Sequence, residues 1–421
     1  MKNFVESMAA VLLAMACVTG SAKAQTAPAL PPAAMAYSPG VAEDKISWQL
    51  FVEVVSPAPA PNPMQALTFE TWATDAETFT SGTTPPVWPT GPTAERNKKR
   101  FQASNLGLHR PARLKVAVDS SGVPTKCDPP QDPAAGNFPT TASPKPATDC
   151  LAEEVRRNKP SFDYIVQNNL YSVAGLATNF PLAAPIELPQ SSDLKKAGIE
   201  VKVDWVPLNT VVTWLNANLA KPIDAAFVRK NYFITSQSDG TDYALVSMHI
   251  SLKDRPNWLW ATFEHQMNPG RCDTMGCYDK FGLPPAQASI PPAAKGNTQY
   301  AACSKKSAAL AKMFRGLPAV WNNYCLKDTQ IDFVSVQSAT KGQPLLNGDS
   351  VVERILAGVP IAQSSCISCH AYATFGSKGC VAQTNPGISS PAPIGAVTQQ
   401  AGQKRYDFVW GVISIPNVVC P

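Results

Sequence analysis

Proline limits what this chain can fold into: its 40 prolines cluster in stretches where the backbone can be neither regular helix nor central strand. The densest are residues 25–42, 121–149, 284–302 and 382–402. Regular structure therefore has to form between them, and the stretches themselves read as a tail and surface excursions. Cysteines bracket the second stretch at Cys127 and Cys150, so a covalent link at its base is expected to limit its reach.

The amino terminus reads as a targeting segment. Lys2 precedes an apolar run over 8–18, followed by Ser21-Ala22-Lys23-Ala24 and then Gln25, the small-residue pattern of a cleaved export signal. The run has about half of the roughly 20 apolar residues that a bilayer crossing needs. Cleavage after Ala24 and residence in the periplasm are expected, with 1–24 the signal peptide and 25–44 an alanine- and proline-rich tail. Losing Lys2, Lys23 and Glu6 lowers the formal charge from +5 to +4, spread over a chain with 16% charged residues. That balance gives no nucleic-acid-binding surface, and no later stretch is apolar enough to span a membrane.

Between the proline stretches the periodicities predict an α+β fold, with an antiparallel sheet surrounded by helices. Ile199 to Trp205 alternates apolar and charged residues, as in a strand buried on one face. Tyr232 to Gln237 and Tyr243 to Leu252 flank Ser238-Asp239-Gly240-Thr241-Asp242, a turn-like loop suited to a hairpin, and Asn257 to His265 gives a further strand. Helical patterns cover 46–55, 150–158 with Glu153 and Arg157 spaced for an ion pair, 164–176, 210–219, 304–315 and 349–356. The expected organisation is a sheet domain over 45–318 and a small, mainly helical segment over 319–421 packed on it.

The cysteines separate into two classes. Cys17 leaves with the signal, and Cys366 and Cys369 belong to the run Cys366-Ile367-Ser368-Cys369-His370. Eight remain, an even number suited to four disulfides in an exported chain. Pairing of sequence neighbours would join Cys127 to Cys150, Cys272 to Cys277, Cys303 to Cys325 and Cys380 to Cys420.

Cys366 to His370 carries the chemistry. Two cysteines separated by two residues can add their thiols to the two vinyl groups of one haem, and a histidine directly after them can bind the iron from one side. Zinc would want two more thiolates or imidazoles close by. One covalent haem c is therefore expected, held by Cys366 and Cys369, with His370 as iron ligand and a short helix over 366–375. Only 51 residues follow His370, and none is methionine or histidine, so a second iron ligand would have to come from upstream. His109, His249, His265 and the methionines Met35, Met64, Met248, Met267, Met275 and Met313 are the candidates. His249, inside an apolar strand, is the first choice and His265 the second; a methionine or an open position are the alternatives.

Beyond this motif, several phrases resemble a family of exported single-haem cytochrome c proteins of proteobacteria, mostly without an assigned role. They are Ser47-Trp48-Gln49-Leu50-Phe51, Phe69-Glu70-Thr71-Trp72, Trp258 to His265 with Asn268-Pro269-Gly270-Arg271-Cys272, Trp321-Asn322-Asn323-Tyr324, and Asp407-Phe408-Val409-Trp410. The resemblance implies haem binding, electron transfer to a redox partner protein, and a front part integral to the haem segment. It supplies no small-molecule substrate. A peroxidase or dehydrogenase with a pocket in the sheet domain, or a haem-based sensor, is the competing expectation, and the several hundred residues ahead of the motif favour it.

Overall fold

A computed structural model describes residues 40–58, 66–90, 152–218, 221–236, 240–268, 271–272, 276–285, 289–290, 303, 305–334, 345–350, 364–381 and 402–415. The expected signal, the tail as far as residue 39, His109, Met35, Met64, Met275 and the cysteines at 127, 150 and 420 fall outside these residues, whereas residues 41–44, expected to belong to the tail, begin a helix. Residues 36–421 belong to one compact unit.

The centre is a seven-stranded sheet. Its strands are β1 (Ala73–Thr74), β2 (Ala152–Arg157), β3 (Ile199–Pro207), β4 (Ile234–Ser236), β5 (Asp242–Leu252), β6 (Leu259–His265) and, after two short strands β7 (Cys277–Tyr278) and β8 (Ser289–Ile290), β9 (Tyr324–Gln330). The order is β1-β2-β3-β5-β6-β9, with β4 paired to β5 and every pairing antiparallel. The mixed helix and antiparallel-sheet class is as expected. Because β9 supplies an edge, the sheet reaches past the boundary expected at 318/319.

One face of the sheet carries the main core. Helix α1 (Val41–Val55) buries Trp48, Phe51, Val54 and Val55 against Phe263, Leu326, Met248 and Val203. The ring centroids of Phe51 and Phe263 stand 4.6 Å apart. Glu43 accepts the Gly40 N–H at 3.0 Å, which closes the first turn, and Ser56, extended ahead of Pro57, ends the helix. All eight of these side chains are apolar groups withdrawn from water, each contributing on the order of 1.5–3 kcal/mol before ordering costs.

Two expected helices resolve differently. Of the helix expected over 150–158, residues 152–157 form strand β2 instead: Glu153 meets Lys202 of β3 at 3.2 Å, and Arg157 reaches Glu200 at 3.1 Å and Asp75. Partners across the sheet override a local spacing that suits a helical ion pair. The pattern over 164–176 divides into helices Lys159–Gln167 and Val173–Asn179, because Asn169 takes a left-handed φ of 53° between them. Its carbonyl packs so close to Gly175 that a Cβ there would lie 1.8 Å from it.

The end of the chain forms a second core with these helices, in which Ile367, Phe375, Tyr406, Val409 and Val412 meet Leu170, Leu176, Trp258 and Trp260. Its described part is not mainly helical. A five-residue helix, Cys366–His370, is followed by a ladder of β10 (Thr374–Phe375) with β11 (Lys404–Arg405) and a 3-10 turn over Trp410–Ser414. Of the residues expected to be helical over 349–356, Asp349 and Ser350 are described, and neither is in a helix.

Cys272 and Cys277 form a disulfide, as do Cys303 and Cys325, matching the neighbour pairing. Cys380 is also disulfide-bonded. Among the described residues no helix is long and apolar enough to cross a membrane.

Candidate functional site

The second face of the sheet is polar and buried. Alternation places Trp260, Thr262 and Glu264 of β6 opposite the face that carries Leu259, Ala261 and Phe263. Ser247 and His249 of β5 and Asp204 of β3 fall on the same side, since His249 pairs with Thr262 and Ser247 with both Asp204 and Glu264. Residues 345–350 and 364–370 lie over this face. Asn347 donates to the Trp260 carbonyl at 3.2 Å, Ser350 N–H donates to Glu264 at 3.0 Å, and Ile367 N–H donates to Gln330 at 3.0 Å. Glu264 also takes Lys327 at 2.9 Å, so a fully buried carboxylate is paired with a buried ammonium.

This cover delivers the Cys366–His370 helix to the sheet. Cys366 and Cys369 are half-buried thiols. Cys366 Sγ lies 3.3 Å from the Asn347 carbonyl and 3.9 Å from Thr262 Oγ1. His370 Nδ1 donates to the Phe408 carbonyl at 2.7 Å, and the Trp260 ring centroid stands 4.5 Å from its imidazole. Trp410 Nε1 donates to the Cys369 carbonyl at 3.1 Å. Burial pushes the His370 pKa down to about 4, and the Phe408 carbonyl opposes it only in part. The ring is therefore neutral near pH 7, with its proton on Nδ1 and its lone pair on Nε2.

His249 comes to the same place. Its Nε2 is 2.7 Å from Asp349 and 3.9 Å from Asp204, and its Nδ1 is 3.3 Å from Thr262 Oγ1. Burial and Lys202 oppose charge on this imidazole. Hydrogen bonds to Asp349 and Cys366 and the Asp349 charge outweigh them and hold its pKa well above the ordinary value. Asp204 is pushed up to about 7 by burial, against the pull of Lys202, and Ser247 donates to it at 2.7 Å. Asp204, His249 and Asp349 thus form a buried cluster of two carboxyls and one imidazole beside Cys366.

His265 goes elsewhere. It lies on the face of β6 opposite Thr262, where Nε2 donates to the Asn231 carbonyl at 3.0 Å and Nδ1 accepts Met267 N–H at 3.2 Å. The ring stacks on Tyr232 with centroids 3.5 Å apart, and burial lowers its pKa to about 3. Both nitrogens are used in the core. Among the methionines, Met248 is buried under α1, Met313 packs beside it, and Met267 packs on the Val206–Val246 cluster.

Sequence reasoning missed Asp204, Asp349 and Asp407 as neighbours of the motif. Ser247-x-His249-x-Ser251 in an otherwise apolar strand was a usable sign that β5 has a polar side. No local pattern marks Asp349. No family model matches the chain, and no curated protein or solved structure matches it.

Proposed function

We propose that Cys366 and Cys369 hold one haem c covalently, that His370 binds its iron, and that the protein carries electrons in the periplasm to a redox partner protein. The observation that carries this reading is the His370 Nδ1 bond to the Phe408 carbonyl at 2.7 Å. An imidazole whose far nitrogen is fixed by a carbonyl presents its other lone pair in one direction, which is the usual support of a metal-bound histidine. The donor set fits the group: two thiols and that imidazole lie on five consecutive residues. Bound there, haem supplies a one-electron couple. The chain's own part is to orient His370, to shield it with Trp260 and to hold the Cys366–His370 helix against the sheet. The Cys272–Cys277 and Cys303–Cys325 disulfides agree with an oxidising compartment.

His249 is the residue proposed for the far side of the iron, and Nε2 would have to leave Asp349, or Nδ1 leave Thr262, to serve there. That engagement favours a second reading, a haem enzyme or sensor with an open coordination position. Visible spectra of the oxidised and reduced protein, with and without carbon monoxide, separate the two. A low-spin spectrum that ignores carbon monoxide supports the carrier, and one that responds to it supports the second reading. A protein with no haem absorption overturns both.

A further inference from the structure

Among the described residues, four other than glycine have left-handed backbone: Asn169, Trp258, Asp407 and Phe408, with φ of 53°, 60°, 46° and 68°. Three of them meet at one point. Asp407 accepts the Trp258 indole N–H at 3.3 Å, and Phe408 offers the carbonyl that holds His370. Such conformations are strained for residues other than glycine and persist only where the surroundings over-determine them.

The restraint is the Asp407 carboxylate. Oδ1 takes Lys253 Nζ at 2.6 Å as well as Trp258, and Oδ2 takes the Leu188 N–H at 2.6 Å. Lys253 is itself buried and also donates to the Pro256 carbonyl at 3.0 Å. Lys253, Pro256 and Trp258 all belong to the connection between β5 and β6, and Leu188 precedes β3. Two segments of the front part thus fix the Asp407 side chain through three residues. That turn in turn grips the motif helix and the residues after it: Tyr406 N–H donates to Ala373, His370 to Phe408, and Trp410 to Cys369.

We propose that Asp407 is a positioning residue for His370, aiming the Phe408 carbonyl at Nδ1 by holding residues 407 and 408 in left-handed backbone. The inference rests on the haem reading. A strong Nδ1 hydrogen bond makes the imidazole more basic and favours the oxidised iron, so loosening it raises the reduction potential. Loss of the Asp407 charge alone also raises the potential, so the potential cannot decide the matter. Exchange of the His370 Nδ1 proton can, because it reads the hydrogen bond itself.

The test uses the full, haem-loaded chain labelled with 15N and two variants. In Asp407→Ala, Nδ1 proton exchange becomes at least about tenfold faster, since the tether is gone and left-handed alanine is disfavoured. Asparagine tolerates that backbone and keeps one acceptor oxygen, which can serve Lys253 and Trp258 or Leu188 but not both sides. Asp407→Asn therefore recovers part of the restraint, with exchange at least about threefold slower than in the alanine variant, while its potential stays raised. Exchange in the alanine variant within about twofold of the parent overturns the proposal, as does exchange in the asparagine variant as fast as in the alanine one. If the alanine variant does not accumulate, Trp258→Phe, which removes one of the three bonds, is expected to speed exchange about threefold, and an unchanged rate overturns the proposal. Failure of the haem reading looks different: the parent's intact mass shows no haem, which overturns both.

Discussion

The two faces of β6 carry different kinds of work. On one side Leu259, Ala261 and Phe263 face α1 in a close-packed aromatic core, and His265 at the end is neutral and stacked. On the other, Trp260, Thr262 and Glu264 are as deeply buried, yet each meets a polar group of the covering segment or the motif helix. The first face holds the sheet together without reference to residues after 345. The second is satisfied only when residues 345–350 and 364–370 are in place, since buried polar groups are costly unless hydrogen-bonded. A polar, covered face thus ties the motif to the sheet with directional contacts, which apolar packing would not supply.

Breaking each face in turn sharpens this contrast. The largest loss is expected from Phe263→Ala, about 3–5 kcal/mol by denaturant unfolding, with the haem spectrum of the folded fraction unchanged. On the polar face, Glu264→Ala strands the Lys327 ammonium and costs about 3 kcal/mol; adding Lys327→Met recovers most of it, because a buried ion pair can be replaced by apolar groups at little cost. Little recovery would mean that the Ser350 and Asn268 bonds to Glu264 matter more than the ion pair.

A pH series distinguishes the two histidines. The folded pKa of His265 is about 3, below the ordinary value of about 6.5 in the unfolded chain. The unfolded state therefore binds the proton first, and stability present above about pH 6.5 is lost as pH falls towards 3. Between pH 7 and 5 this amounts to roughly 2 kcal/mol, which His265→Gln should remove. His249 has the opposite sign: its raised pKa makes its contribution complete below about pH 6.5 and lost as pH rises through the folded value. The smallest effect is expected from Thr262→Val, under about 1 kcal/mol in stability, since it removes only two long contacts, to His249 and Cys366. Its visible spectrum should nevertheless differ from the parent if His249 reaches the iron.

Much of the first face was legible in the sequence. The apolar spacing of α1, the strand signals of β3, β5 and β6, and the two neighbouring disulfides all stand where residue patterns put them. The second face was harder to read because alternation in Ile199 to Trp205 suggests that its charged side meets water. Glu200 and Asp204 are instead buried, covered by elements distant in sequence. For the same reason Glu153 and Arg157 looked like a helical pair, when their partners lie on β3 and at Asp75. Parity within β6 could have separated His265 from the motif, because it shares a face with Phe263. The fixing of His370 by Phe408 depends on a backbone shape at 407 and 408 that no residue preference announces.

A covalent haem at Cys366 and Cys369 would be visible in the intact mass of the purified, denatured protein. The expected mass is that of the mature chain plus one haem, retained under denaturation and lost from a Cys366→Ser, Cys369→Ser double variant. A mass equal to the chain alone, with Cys366 and Cys369 open to alkylation, would contradict it.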